Sequence, residues 1–223
     1  LLHCVKKEWN EVNHTRYQHS IGVSAKCIVV CDYLNSKTLD EKLKFSIQDA
    51  KELALAAALH DCGHLPISHA VERAFLSSKF VKSDVEHEAR IIPLLLHPNQ
   101  YFEDLQNLTK QWTDNKKDFD SDSLYRVAAI ISTERAEMYI KGRTYLYPKR
   151  AISQLLSSDI DLDRLDFIIR DAEALKYEPV ELITDEVLKY VGNLSLVKAK
   201  TLHKEFESDV ELCVNIEEEK DLQ

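Results

Sequence analysis

Apolar residues recur at intervals of three to four through most of the chain, which is the spacing of one buried face of an α-helix. The first such stretch predicts a helix from about 17 to 35, and the apolar run that ends near His60 predicts a second. Ser46 followed by Asp49 has the spacing of a capping box, so we expect the second helix to begin there. The main part of the chain is therefore predicted to be all-α.

Further helices are predicted by the same two signals. Thr38 followed by Glu41 repeats the capping-box spacing, and Pro148 precedes a long amphipathic stretch. Residues 105–120 are polar and charged, and predict either a loop or an exposed helix. The remaining helices are expected over residues 68–74, 83–97, 122–131 and about 150–175.

Two faces are predicted on the last of these helices. Asp163, Phe167 and Asp171 recur every four residues, so they share a face that can look into a cleft. A different face is apolar at helical spacing and is expected to pack in the core. Its residues are Leu165, Ile168, Ile169, Ala172 and Leu175.

The pattern changes beyond Pro179. Residues 193–200 and 211–216 alternate in polarity or carry β-branched side chains, which predicts a small β-hairpin near the C-terminus. The chain ends in a charged segment that we expect to be solvated. The predicted organisation is one helical domain over residues 1–178 and an appendage over residues 179–223, partly helical and with short strands.

The composition agrees with a helical fold and bears on where in the cell the protein is expected. A chain of 223 residues can bury a substantial core, and its 4 glycines and 5 prolines disfavour an all-β design. No apolar stretch approaches the roughly 18 residues of a membrane span, and no signal-peptide pattern is present. Five cysteines without a Cys-x-x-Cys pair indicate reduced thiols, so we expect a cytoplasmic protein.

The charge balance bears on the partners of the protein. A net charge of −9 argues against broad electrostatic binding to nucleic acid or to anionic lipid. It leaves room for a nucleotide, because a metal ion and a few local cations reverse the field within one pocket. The chain opens at Leu1 and its single methionine is Met138, so we expect it to be an incomplete or trimmed form of a longer product.

The densest group of metal-ligand side chains follows the apolar helix directly. Residues 60–69 read His-Asp-Cys-Gly-His-Leu-Pro-Ile-Ser-His, which puts three imidazoles and a carboxylate within ten residues. Neutral imidazole and carboxylate are the usual protein ligands of first-row divalent metals. One adjacent pair cannot close a site, so other ligands must come from elsewhere. Two segments qualify, residues 16–20 and residues 159–171.

The order His, then His-Asp, then Asp resembles that of the HD superfamily of metal-dependent phosphohydrolases. The long ten-residue string and the later Asp-x-Asp-x-x-Asp run look like its deoxynucleotide triphosphohydrolase branch. The resemblance implies an HD-domain helical fold with a divalent metal in a central cleft, and the metal is one of Mn, Fe, Zn, Ni and Mg. The implied ligands are His19, His60, Asp61 and Asp163. Taken singly, each residue is also explained as a helix cap or a buried hydrogen-bonding group.

The resemblance also implies catalytic residues around the metal. Histidines at the positions of His64 and His69 lie beside the scissile phosphate in this family, with an acidic residue at the position of Glu72. His87 matches a further family histidine. We expect His69, oriented by Glu72, to protonate the leaving group, because attack on a phosphoester builds negative charge there. The alternative for His87 is an ordinary exposed helix residue.

The same resemblance implies which residues contact the substrate. Arg16 and Arg164 are candidate phosphate clamps, since guanidinium matches anionic oxygens bidentately. The alternative for Arg164 is a surface ion pair on its own helix. Phe167 stands where a tyrosine is common, and Asp171 matches a family carboxylate near the ribose 3′-hydroxyl.

The resemblance leads to one principal expectation about function. The chain is expected to hydrolyse deoxynucleoside triphosphates to nucleoside and inorganic triphosphate, and to form a homo-oligomer. Two alternatives stay open from the residues alone. One is an HD hydrolase that acts on a nucleoside monophosphate or a signalling nucleotide, and the other is a module that senses nucleotide without turnover.

Overall fold

The computed structural model describes residues 14–64, 87–97, 99–111, 119–158, 161–174, 187, 189–198 and 210–214. Its helices are α1 Arg16–Lys37, α2 Ile47–Leu59, α3 His87–Leu96, α4 Gln100–Gln111, α5 Ser123–Ile131, α6 Thr133–Ile140, α7 Arg150–Leu156 and α8 Leu162–Ala174. Short 3-10 turns cover His60–Gly63 and Thr144–Leu146, and the strands are β1 Leu194–Lys198 and β2 Val210–Val214. The predicted helical fold with a small C-terminal hairpin is confirmed.

Capping boxes set the starts of the first two helices. The Thr15 hydroxyl accepts from the backbone N–H of Gln18 at 3.2 Å, and the Gln18 side chain accepts from the Thr15 N–H at 2.8 Å. Ser46 and Asp49 make the same reciprocal pair at the start of α2, so that prediction is confirmed. Each pair satisfies backbone donors that the first turn leaves without partners.

The predicted helix start at Thr38 was wrong. Thr38 instead ends α1, and its backbone N–H donates to the carbonyls of Leu34 and Asn35. The Asn35 side chain then pairs with both backbone groups of Phe45, at 2.9 Å and 2.8 Å, and this closes the α1–α2 connection as a compact loop. Too few residues remain before the next helix start for a helix to form there.

The predicted long helix over residues 150–175 is two helices. Asp161 lies between them, and its carboxylate accepts from the backbone N–H groups of Ser158 at 3.0 Å and Arg164 at 2.8 Å. These hydrogen bonds lie between the end of α7 and the start of α8, although no glycine or proline occurs at the break. The break lets α8 turn to pack against α1.

Helix α2 lies at the centre of the fold. Six consecutive residues, 52–57, are buried, as expected for a helix that has other helices on several sides. It packs against α1, α5 and α7, and its C-terminal end continues into the turn His60–Gly63. A rigid central helix therefore fixes the place of the His-Asp pair.

Several peripheral elements complete the described fold. The polar region 105–120 contributes to the helix α4, so the exposed-helix alternative holds for its first part. Strands β1 and β2 pair antiparallel, with Leu194 opposite Val214 and Lys198 opposite Val210. Among the described residues, no helix combines the length and the apolar character of a membrane span. The predicted helix over 68–74 and the predicted domain boundary at 178/179 lie outside the described residues.

Candidate metal centre

Three segments that are distant in the chain meet at one point. His19 Nε2 lies 2.7 Å from Asp163 Oδ1, and His60 Nε2 lies 3.2 Å from the same oxygen. His19 comes from α1, His60 from the end of α2 and Asp163 from the first turn of α8. The three potential ligand atoms lie within 4.8 Å of one another, which is close enough for a single cation to contact all of them.

The far side of each imidazole ring is held by a second hydrogen bond. His60 Nδ1 donates to the Ala57 carbonyl at 2.7 Å, and His19 Nδ1 lies 2.8 Å from Asp166 Oδ2. A proton on Nδ1 leaves Nε2 as the metal-binding atom, and such outer partners are typical of metal-ligating histidines. The donor set therefore fits a divalent metal.

Asp61 joins this group to a second one. Its Oδ1 lies 3.4 Å from His60 Nε2 and 3.2 Å from His64 Nε2, while its Oδ2 accepts from Arg16 at 3.0 Å. The rings of His64 and His87 stack with centroids 3.9 Å apart. Asp61, His64 and His87 form a second cluster whose ligand atoms lie within 4.8 Å of one another. The structure thus brings six of the predicted site residues together, with Arg16 at the edge.

Gly63 allows this second cluster to form. A Cβ atom at residue 63 would lie 2.0 Å from the His87 carbonyl oxygen, so only glycine fits against the backbone of α3. Arg90 Nε donates to the Gly63 carbonyl at 2.6 Å, and this bond also joins α3 to the turn His60–Gly63. The close approach of α3 places His87 against His64.

The predicted substrate residues on α8 lie outward from Asp163. Phe167 is 43% exposed, one helical turn beyond Asp163, and Arg164 is exposed beside it. Asp171 lies a further turn along, with its Oδ1 3.1 Å from Nε2 of the half-buried His14. Asp163, Phe167 and Asp171 share the face that the four-residue spacing predicted.

The face of α8 that packs in the core differs from the predicted one. The predicted apolar stripe of α8 is buried at Leu165 and Ala172 but not at Ile168, which is 46% exposed, so that assignment was wrong. The core side also carries the buried Asp166, because that face meets α1 rather than only apolar neighbours. His69 and Glu72 lie outside the described residues.

Asp166 and the Ala57 carbonyl are contacts that sequence reasoning missed. Asp166 lies three residues after Asp163, and it would share the buried side of α8 with Leu162 and Leu165. A carboxylate among buried apolar residues must be paired, and that was the available signal. A backbone carbonyl leaves no signal in the residue pattern.

The site is strongly polarised in the metal-free protein. Burial alone would lower the pKa of His19, but hydrogen bonds to Asp163 and Asp166 outweigh burial and raise it to about 9. The pKa of His60 is also raised. Burial opposes this rise, and the hydrogen bond to Asp163 is its main cause. Burial would raise the pKa of the carboxyls, yet the imidazole and cationic partners hold that of Asp163 well below its ordinary value and that of Asp61 at about 2.

These shifts predict that protons and metal compete for the site. In the metal-free protein the raised pKa of His19 contributes stability that is complete below its ordinary value of 6.5 and is lost as pH rises through about 9. Metal binding requires the neutral imidazole, so affinity increases with pH over the same interval. We expect the Tm of the metal-free protein to fall from pH 6.5 to pH 9 while the stabilisation by Zn²⁺ grows. Parallel Tm curves with and without Zn²⁺ would contradict this.

The helical fold and the meeting of His19, His60 and Asp163 are those expected of an HD-domain protein. The family model described as HD domain matches residues 16–166, so the chain belongs to the HD domain family. That family is of the hydrolase type and binds divalent metals. The matched range begins at Arg16 and ends at Asp166, and so includes all four predicted metal ligands.

Individual relatives are similar over the same part of the chain. An uncharacterized protein of Mycoplasma pneumoniae, the MG461 homolog, is 28% identical over 159 residues, which is 71% of this chain and 31% of that protein. The deoxynucleoside triphosphate triphosphohydrolase SAMHD1 homolog of Dictyostelium discoideum is 26% identical over 160 residues, 72% of this chain and 27% of that protein. SAMHD1 of Xenopus laevis is 25% identical over 182 residues, 73% of this chain and 27% of that protein. The chain therefore spans less than a third of these relatives.

Proposed function

We propose that this HD domain hydrolyses deoxynucleoside triphosphates to nucleoside and inorganic triphosphate. The observation that carries the hydrolytic part is the meeting of His19, His60 and Asp163, with both Nε2 atoms directed at one carboxylate oxygen. The substrate class is supported by the two relatives named as deoxynucleoside triphosphate triphosphohydrolases.

We assign His19, His60, Asp61 and Asp163 as the residues that hold the metal. A divalent cation bound there would supply Lewis-acid activation of water and of a phosphoryl oxygen. Asp61 contributes a carboxylate oxygen 3.4 Å from His60 Nε2, so it completes the group from the side of the turn His60–Gly63. Its contact with Arg16 keeps the second oxygen oriented.

The residues beside Asp61 are suited to the phosphate chain. The stacked rings of His64 and His87 lie beside Asp61, where they would contact the phosphate chain. Arg16 would contact the triphosphate next to Asp61, because guanidinium pairs with phosphate oxygens. We keep His69, oriented by Glu72, as the proposed acid for the leaving group.

The outward face of α8 would receive the rest of the nucleotide. Phe167 and Asp171 follow Asp163 at four-residue steps of about 6 Å each, so they order the substrate away from the metal. Arg164 would contact phosphate and Phe167 would offer its exposed ring to the sugar. Burial raises the pKa of Asp171, against the effect of His14, and its carboxyl would bind the 3′-hydroxyl.

A nucleotide panel with product identification tests this proposal. The purified chain is incubated with dNTPs, NTPs, nucleoside monophosphates and cyclic dinucleotides in Mn²⁺, Mg²⁺, Zn²⁺, Ni²⁺ or anaerobic Fe²⁺, and products are resolved by anion-exchange chromatography. We expect deoxynucleoside and triphosphate from dNTPs in at least one metal. Release of only monophosphate or pyrophosphate would indicate another HD hydrolase, and nucleotide binding without any product would indicate a sensing module.

The homo-oligomer implied by the resemblance remains a prediction. Light scattering coupled to size-exclusion chromatography measures it directly, with and without dNTP.

A further inference from the structure

Asp166 is fully buried on α8, yet it accepts from three polar partners on two helices. His19 Nδ1 lies 2.8 Å from Oδ2, Lys26 Nζ lies 2.5 Å from Oδ1, and Arg170 Nε lies 2.5 Å from Oδ2. We propose that Asp166 is the positioning residue of the metal ligand His19, and that Lys26 and Arg170 hold Asp166 in place. We call Asp166, Lys26 and Arg170 the Asp166 clamp. This inference rests on the metal-dependent function proposed above.

The geometry explains why the clamp would act on the metal ligand. An imidazole that donates from Nδ1 to a fixed carboxylate can present only Nε2 to a cation, and its ring cannot rotate. His60 has a backbone carbonyl for this purpose, whose place is fixed by α2 itself. His19 has only a side chain on another helix, so the orientation of His19 depends on how firmly Asp166 is held.

Lys26 and Arg170 together hold the Asp166 carboxylate in one orientation. A buried carboxylate needs several hydrogen bonds to stay in one rotamer, and Lys26 and Arg170 bond to different oxygens. Lys26 reaches from α1, about two helical turns beyond His19, while Arg170 reaches back from the next turn of α8. The clamp is therefore held from α1, which carries His19, and from α8, which carries Asp163.

Gly22 provides an independent observation. Glycine is the least favourable helix residue apart from proline, yet it occupies the interior of α1. A Cβ atom at residue 22 would lie 2.0 Å from an Nη of Arg170 and 2.8 Å from Asp166 Oδ1. The chain therefore has a helix-weakening residue where a side chain would push against the clamp.

A purely structural tie between α1 and α8 is the competing explanation, and metal affinity separates the two. The full chain is titrated with Zn²⁺ against a chromophoric chelator, with folding checked by circular dichroism and thermal unfolding. We expect Asp166→Asn to weaken Zn²⁺ binding by about 10–100-fold, the usual effect of losing an outer partner of a ligating histidine. Lys26→Met is expected to weaken it less, because Asp166 keeps His19 and Arg170.

Matched variants guard against misfolding and indirect effects. Lys37→Met removes another α1 lysine, whose Nζ bonds to the Gly192 carbonyl at 2.5 Å, and should leave Zn²⁺ affinity unchanged. If Asp166→Asn does not fold, the pair Asp166→Asn with Lys26→Met removes a cation together with the anion. Gly22→Ala raises helix propensity but crowds the clamp, so we expect weaker Zn²⁺ binding from it as well.

The outcomes distinguish this inference from the proposed function. Wild-type Zn²⁺ affinity in a folded Asp166→Asn protein, with only Tm lowered, would overturn the clamp and leave the hydrolase standing. Loss of affinity in Asp166→Asn, with an Nδ1–H signal of His19 in ¹⁵N NMR of the Zn²⁺-loaded wild type only, supports the clamp even if no nucleotide is hydrolysed. Absence of divalent metal binding by the wild type would overturn both.

Discussion

Replacing Asp163 by asparagine is expected to lower nucleotide hydrolysis by about 10³-fold or more, since loss of a single electrostatic contact to the reacting group already costs about 10²–10³-fold. Both His19 Nε2 and His60 Nε2 approach Asp163 Oδ1. Asparagine keeps the shape of the side chain but removes the charge that binds a cation between the two rings. Metal content by plasma emission spectroscopy should fall together with the rate.

Glu173→Gln is the matched control for this variant. Glu173 lies on the same helix, is exposed, and loses one negative charge in the same way. We expect its rate and its metal content to equal those of the wild type. If Asp163→Asn retained metal and at least a tenth of the wild-type rate, the three-segment centre would not be the hydrolytic site.

The second large effect concerns stability. Arg126→Met is expected to lower the free energy of unfolding by about 3–5 kcal/mol, because it leaves a buried carboxylate without its counterion. Glu52 is only 2% exposed on α2, and Arg126 on α5 contacts both of its oxygens at 2.8–3.0 Å. Urea unfolding of the metal-free protein at pH 7 measures the change.

The pH dependence identifies the cause of that loss. Burial raises the pKa of Glu52 above its ordinary value of 4.5, and Arg126 opposes that rise. Without Arg126 the folded pKa rises further, so the deficit is complete above that pKa and shrinks as pH falls to 4.5, where Glu52 is protonated more readily in the folded state. The double variant with Glu52→Gln should regain most of the stability. An equal loss at every pH would indicate lost packing instead.

Local structure followed from local pattern. The capping boxes at Thr15 and Ser46 each involve residues three apart, and the alternation over 193–200 involves neighbours, so the sequence itself carries the signals. The Thr15 box was not predicted, but its spacing is visible in the chain. Thr38 shows where a local pattern fails. Thr38 and Glu41 have the spacing of a capping box, yet Thr38 ends α1, because Asn35 closes the loop that follows.

The three segments proposed to hold the metal were also singled out from the sequence, through the resemblance of residues 60–69 and their ordered partners. Their meeting was expected only through that resemblance, because His19 and Asp163 are 144 positions apart and the packing of α8 on α1 brings them together. That packing requires the backbone break at Asp161, which helical periodicity alone did not reveal.

The sequence by itself determined most of the helices, the hairpin and the three segments that carry imidazole and carboxylate groups, because periodicity and capping act within a few residues. Tertiary structure alone decided which nitrogen of each imidazole faces Asp163, and it did so through Asp166 and the Ala57 carbonyl. It also decided where glycine is required, at residues 22 and 63, where another helix approaches the backbone. These features depend on distances between helices, and no local pattern of residues encodes such distances.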